Sequence, residues 1–245
     1  MTLLELQQEC GRLLNDPSNQ RWTSDVLTSR LNQAQTIVQG LTNAVKTVEV
    51  LTATVNTPQL TIDVDALDVL RVRLTLSNGS YKKLDGITRE ELDFRYPNWE
   101  NFGAGEPLTY WFDGTNHQIN LVPAPDSNNV VTNGVSVWEV LKPADMVNPT
   151  DIPFDSNSPM IPYHLACVHW AVAQCWMDDG TPEALGKAKF HKSGIYDRPG
   201  EFEKQIMRIR EDFDVPVDVP VRILWRPQGG RVRSWSMPSK SYPFR

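Results

Sequence analysis

Cysteine and histidine are scarce, with three of the first (Cys10, Cys167, Cys175) and four of the second (His117, His164, His169, His191) in 245 residues. So small and odd a cysteine count, in apolar surroundings, excludes a disulfide framework and points to a reducing compartment. His164 and Cys167 share a helix face with Cys175 further on, but a zinc site needs tighter ligand pairs and a fourth ligand that the chain does not offer. Cysteines of this kind belong to a core. Asp63, Asp65 and Asp68 lack the glycine turn and distal glutamate of a calcium loop and read as solvated edge charges. Gly103-Ala104-Gly105 and Gly229-Gly230 lack the Lys-Ser/Thr of a phosphate loop, and no Gly-x-Ser-x-Gly elbow is present. Glu90-Glu91 and Asp178-Asp179 have no apolar pocket in sequence to separate their pKa values. The expectation is no catalytic residue, no metal and no cofactor, hence no enzyme.

A cationic stretch ahead of the first apolar residues is also missing, since the first Lys or Arg is Arg12, so no secretory signal is expected. Residues 156–177 hold no Asp, Glu, Lys or Arg. Pro159, Pro162, His164, His169 and Gln174 within them point to a buried helix and not to a membrane span. Proline (18) and glycine (14) are at ordinary levels, and 40% of the chain is hydrophobic, which excludes collagen and wholesale disorder and calls for a real core.

What the chain does have is two periodicities. Thr2 and Glu5 form a capping-box pattern ahead of Leu3, Leu6, Cys10 and Leu13, and Asn15-Asp16-Pro17 ends that helix. A second helix starts near Ser24 or Asp25, with Trp22 placed to staple its entry, and carries the stripe Leu27, Leu31, Ala34, Val38, Leu41, Val45. The period then becomes twofold: 48–50, 59–64, 69–76, 108–113, 117–122 and 135–141 read as strands, with a hairpin signal at Ser77-Asn78-Gly79 and a short helix capped by Thr88 and Glu91. Helix returns at Pro162, stops at Asp179-Gly180, resumes at Thr181-Pro182, breaks again between Ser193 and Gly200, and closes with Phe202, Ile206, Ile209 and Phe213.

From Val215 onward Pro216, Pro220, Pro227, Pro238 and Pro243 exclude a long helix, and an extended arm is expected. It carries six Lys or Arg against Asp218 alone, five positive charges net, which leaves eleven negative charges on the other 214 residues of a chain at −6. Its apolar anchors Val219, Val221, Ile223, Leu224, Trp225, Trp235 and Phe244 alternate with Arg222, Arg226, Arg231 and Arg233. That composition suits a strand-like arm laid into a groove of another subunit, with nucleic-acid binding as the second reading.

The Leu3-Leu4-Glu5-Leu6 helix, Asp16-Pro17, Arg21-Trp22 and Asp68-Val-Leu-Arg-Val-Arg73 resemble the head-to-tail adaptor (connector, head-completion) proteins of tailed bacteriophages. So do Ile87–Asp93, Tyr96-Pro-Asn-Trp-Glu100, Gly105–Tyr110 and Ile119–Pro125, the similarity running to about Asp179 and more loosely to Phe213. The resemblance implies an α+β protein: a helical bundle (1–46 and 146–214), an inserted antiparallel β domain (47–145), sandwich or barrel, and the arm (215–245). It also implies a structural virion protein at the head–tail interface, made in the host cytoplasm. Expected partners are the portal, bound by the arm; further copies in a twelvefold ring, packed through Leu27, Leu31, Val38 and Leu41; a downstream tail or neck protein; and genomic DNA passing without sequence-specific contact. No membrane partner is expected. The alternative is a DNA-binding packaging or head-completion factor using the basic arm. The break at Ser193–Gly200 departs from the family pattern of one continuous helix.

Overall fold

Helix α1 (Leu3–Leu14) opens on the expected capping box: Thr2 Oγ1 accepts from the Glu5 N–H, and the Glu5 carboxylate accepts from the Thr2 N–H. It ends at Asn15, whose left-handed φ of 57° asparagine tolerates. The Asp16 carboxylate then accepts the backbone N–H groups of Trp22, Gln20 and Arg21 at 2.9, 3.0 and 2.8 Å. These bonds, the one from Trp22 foremost, hold its carboxyl below the usual carboxylate range. The turn presses on Gly11, where a β-carbon would meet Asn19 Oδ1 and the Asp16 carbonyl at 2.9 Å. The Thr23 hydroxyl caps helix α2 (Ser24–Thr42), which stops at a left-handed Asn43. The structure, a computed structural model, describes residues 1–156, 158–193 and 199–213.

Seven strands follow: β1 (Thr47–Leu51), β2 (Gln59–Thr61), β3 (Ala66–Thr75), β4 (Tyr81–Gly86), β5 (Thr109–Asp113), β6 (Gln118–Val122) and β7 (Val135–Leu141), with helix α3 (Arg89–Arg95) between β4 and β5. They form one sheet in the order β1-β7-β3-β4-β5-β6-β2. All neighbours are antiparallel except β4 and β5, which run parallel. The expectation of an antiparallel domain is corrected here, because residues 87–108 form a crossover carrying α3 and not a hairpin, and a crossover is what a parallel pair requires. Neither a sandwich nor a closed barrel results. β2 and β3 follow each other in sequence yet lie four strand spacings apart, about 19 Å in a flat sheet. The link 62–65 reaches at most about 18 Å, so the sheet curls into a half-barrel around its apolar face.

The chain returns through residues 142–156 and a 3-10 turn (Ser158–Tyr163) that contains Pro162; α4 (His164–Asp179) begins after it, two residues later than the sequence suggests. α5 (Pro182–Lys192), capped by Thr181, and α6 (Glu201–Asp212) complete the described residues. Leu6, Cys10, Leu31, Met160, Cys167, Val172 and Ile209 belong to a core shared by α1, α2, α4 and α6, and Val72, Leu74, Leu84, Ile119, Leu121, Val135 and Val137 to a second core inside the sheet.

Helix α2 holds both passages between these cores. Asn32 bonds Met146 in both directions, Nδ2 donating to its carbonyl at 3.0 Å and Oδ1 accepting from its N–H at 2.9 Å. Buried Gln35 donates to the Ala144 carbonyl at 2.7 Å and accepts from the Phe154 N–H at 3.1 Å. Gln39 spans Val45 in the same two-way manner, ahead of β1. Arg210 of α6 donates from Nε and Nη2 to the Leu41 carbonyl at 3.0 and 2.8 Å, supplying the positive charge that the last turn of α2 lacks.

Candidate functional site

The stripe expected to pack between copies is used within one chain. Leu27, Leu31 and Val38 are fully buried and Leu41 lies against the margin of the same core. α1, α4 and α6 close over that face of α2. The arm residues Val219, Val221, Arg222, Ile223, Leu224, Trp225, Arg226, Arg231, Arg233, Trp235 and Phe244 lie outside the described residues, as do 194–198 of the helix break.

The cysteines and histidines are embedded in the helices. Cys10, Cys167 and Cys175 are free and buried, and burial pushes all three thiols up, Cys175 to about 12. They are held as unreactive thiols. His164 is 1% exposed, and burial, with the charge of the Met1 amino group 2.8 Å from its Nδ1, pushes it down to about 4. His169 of α4 and His191 of α5 stack with ring centroids 5.4 Å apart and Nδ1 atoms at 3.2 Å. Burial lowers both, His191 to about 4 with His169 as the second cause. Among the described residues no three His, Cys, Asp or Glu side chains converge as metal ligands. No helix there is long and apolar enough to cross a membrane.

The features that invite a partner lie on the sheet. On its outer face Val48 and Val50 of β1 stand opposite Trp138 and Ser136 of β7. Both valines are about half exposed, and Tyr81 is 66% exposed. The Arg71 guanidinium lies 4.9 Å from the Trp138 ring centroid, and that of Arg73 lies 4.4 Å from Tyr81 and 5.2 Å from Trp138. Stacked arginines and aromatics beside exposed valines have the composition of binding hot spots.

On the inner face, near the same edge, Glu49 and Glu139 point to one side of the sheet, Glu49 opposite Val137 and Glu139 opposite Thr47. Glu139 is 1% exposed, and Oε2 of each glutamate is buried with no hydrogen-bond partner among the described residues. Burial, then the charges of Glu49 and Asp63, push Glu139 up to about 7. Unpaired buried carboxylate oxygens are costly, and either a proton or a cation relieves the cost. The signal in sequence is a lone acid at an inward position of the strand Val135–Leu141, whose other inward residues, Val135, Val137 and Leu141, are apolar.

The crossover after β4 exposes Phe94 (86%), Tyr96, Phe102 and Leu108. Its frame is fixed from within: Trp99 Nε1 donates to Asp93 at 2.6 Å and Arg95 pairs with Glu91 at 2.5 Å. A groove of about 960 Å³ runs along α2 between Asp25, Ile37, Asp145, Val147 and Trp170.

The family model described as SU10 adaptor protein matches residues 1–220. No curated protein matches the chain.

Proposed function

The chain belongs to the SU10 adaptor protein family, whose members are structural components of phage virions, and from that premise we propose a head-to-tail adaptor that assembles as a twelvefold ring beneath the portal. The family match over residues 1–220 carries this reading. Residues 1–46 and 146–214 serve as the bundle that stands beside its neighbours in the ring, 47–145 as the inserted β domain facing the next tail component, and 215–245 as the arm that docks on the portal. Ordering an arm costs on the order of 1–2 kcal/mol per residue, so its aromatic and cationic anchors have to bind in pockets. Ring symmetry supplies the rest, since each seated arm raises the effective concentration of the others.

DNA crosses the ring without sequence-specific contact. A body with eleven negative charges in excess suits a channel that repels phosphates and lets the genome slide. The exposed aromatics of the crossover suit contact with another virion protein.

Deleting residues 215–245 is expected to abolish portal binding in a pull-down while circular dichroism and melting temperature stay unchanged. Native mass spectrometry with and without portal measures the ring. Normal portal binding by the truncated chain overturns the arm. Arm-dependent DNA affinity with a steep salt slope turns the reading toward a packaging or head-completion factor.

A further inference from the structure

The edge of β1 is open: β7 pairs with one side of it and, among the described residues, no strand pairs with the other. Exposed backbone donors and acceptors on such an edge are a template for an added strand. The two faces beside this edge differ sharply. Outward lie the half-exposed Val48 and Val50; inward lie Glu49 and, one strand further in, Glu139, each with a buried carboxylate oxygen that nothing among the described residues satisfies.

One stretch of this sequence has the matching pattern. Pro220 and Pro227 bracket Val221-Arg-Ile-Leu-Trp-Arg226, and proline confines a strand to the residues between. Those six residues are one more than the five of β1, enough to run along its whole edge. With the twofold alternation of a strand, Val221, Ile223 and Trp225 fall on one face, and Arg222, Leu224 and Arg226 on the other. The stretch begins where the family match ends, at residue 220.

We propose that residues 221–226 of one copy add as an eighth strand to the open edge of β1 in a neighbouring copy, apolar face beside Val48 and Val50, arginine face toward Glu49 and Glu139. The inference rests on the ring reading and refines it: the proximal arm fastens copy to copy, and Arg231, Arg233, Trp235 and Phe244 remain for the portal. Backbone pairing supplies attachment, and the guanidinium gives the inner carboxylates the counter-charge they lack, a strong bond because both partners are charged and one is buried. Glu139 held ionised by an arriving arginine would lose its upward shift, which couples seating of the arm to proton release.

The test uses the full chain. One variant carries Val48→Cys and a second, differently tagged, carries Ile223→Cys; the native cysteines are buried. The two are mixed, assembled with portal and treated with a short bis-maleimide, while native mass spectrometry records whether rings form. A cross-link between the two tags is expected. It should be lost when Arg222→Glu and Arg226→Glu are added to the second chain and regained when the first chain also carries Glu49→Lys. Rings without a cross-link overturn the proposal and leave the ring reading standing, as does a cross-link from position 223 to portal instead. A chain bearing both substitutions that links only within itself also overturns it. Absence of rings is the separate failure of the adaptor reading, and takes this inference with it.

Discussion

Gln35 is a polar residue at a fully buried position, and its amide does what two backbone groups would otherwise have to do: it satisfies the Ala144 carbonyl and the Phe154 N–H. Gln35→Leu fills similar space but strands both groups, so urea unfolding should show a loss of about 2–4 kcal/mol, against about 0.5 kcal/mol or less for the exposed Gln33→Leu. The buried titrating groups act on stability with opposite signs. His169 and His191 are lowered, so their contribution is present above the ordinary histidine value of 6.5 and is lost as pH falls toward the lowered values, about 4 for His191. Glu139 is raised from 4.5 to about 7, so its contribution is present below 4.5 and is lost as pH rises through about 7. Melting temperature measured from pH 4 to 8 should accordingly fall less on the acid side in a His169→Gln, His191→Gln variant. On the alkaline side it should fall less in Glu139→Gln.

At the scale of elements, the helices were legible in the sequence because their signals are local. Thr2, Thr88 and Thr181 cap where the pattern places caps, and the stripe on α2 faces inward as its spacing requires. Strand β4 (Tyr-Lys-Lys-Leu-Asp-Gly) was not legible, because Leu84 is its single buried side chain and no alternation shows. The direction of β5 was not legible either, since an alternating strand reads the same whichever way its neighbour runs. The partner of β1 lies about ninety residues away, and nothing near Glu49 in sequence announces Glu139. The stripe of Leu27, Leu31 and Val38 shows that an amphipathic helix predicts burial without saying whose core receives it. The contact from Arg210 to the end of α2 was equally hidden, being set by how α6 lies on α2. Arg210→Leu should speed hydrogen exchange in the last turn of α2 and lower stability by about 1–3 kcal/mol.

Over the whole molecule, what is exposed matters more than what is buried. Phe94 is 86% exposed, so its ring adds little to the core. Phe94→Ser should therefore leave the unfolding free energy within about 0.5 kcal/mol of the natural chain while lowering the yield of assembled necks, scored by electron microscopy of particles. A charged substitution among the core residues of α2 would unfold the subunit instead, which separates the two classes of surface by a melting curve. A last consequence belongs to the amides of α2. Because Asn32, Gln35 and Gln39 grip the chain both where it leaves for the sheet and where it comes back, a pull on the strands loads several bonds side by side. Parallel bonds share tension, whereas bonds in series break one after another. Tension on the strands is therefore passed to α2 through these bonds together and not through one link at a time.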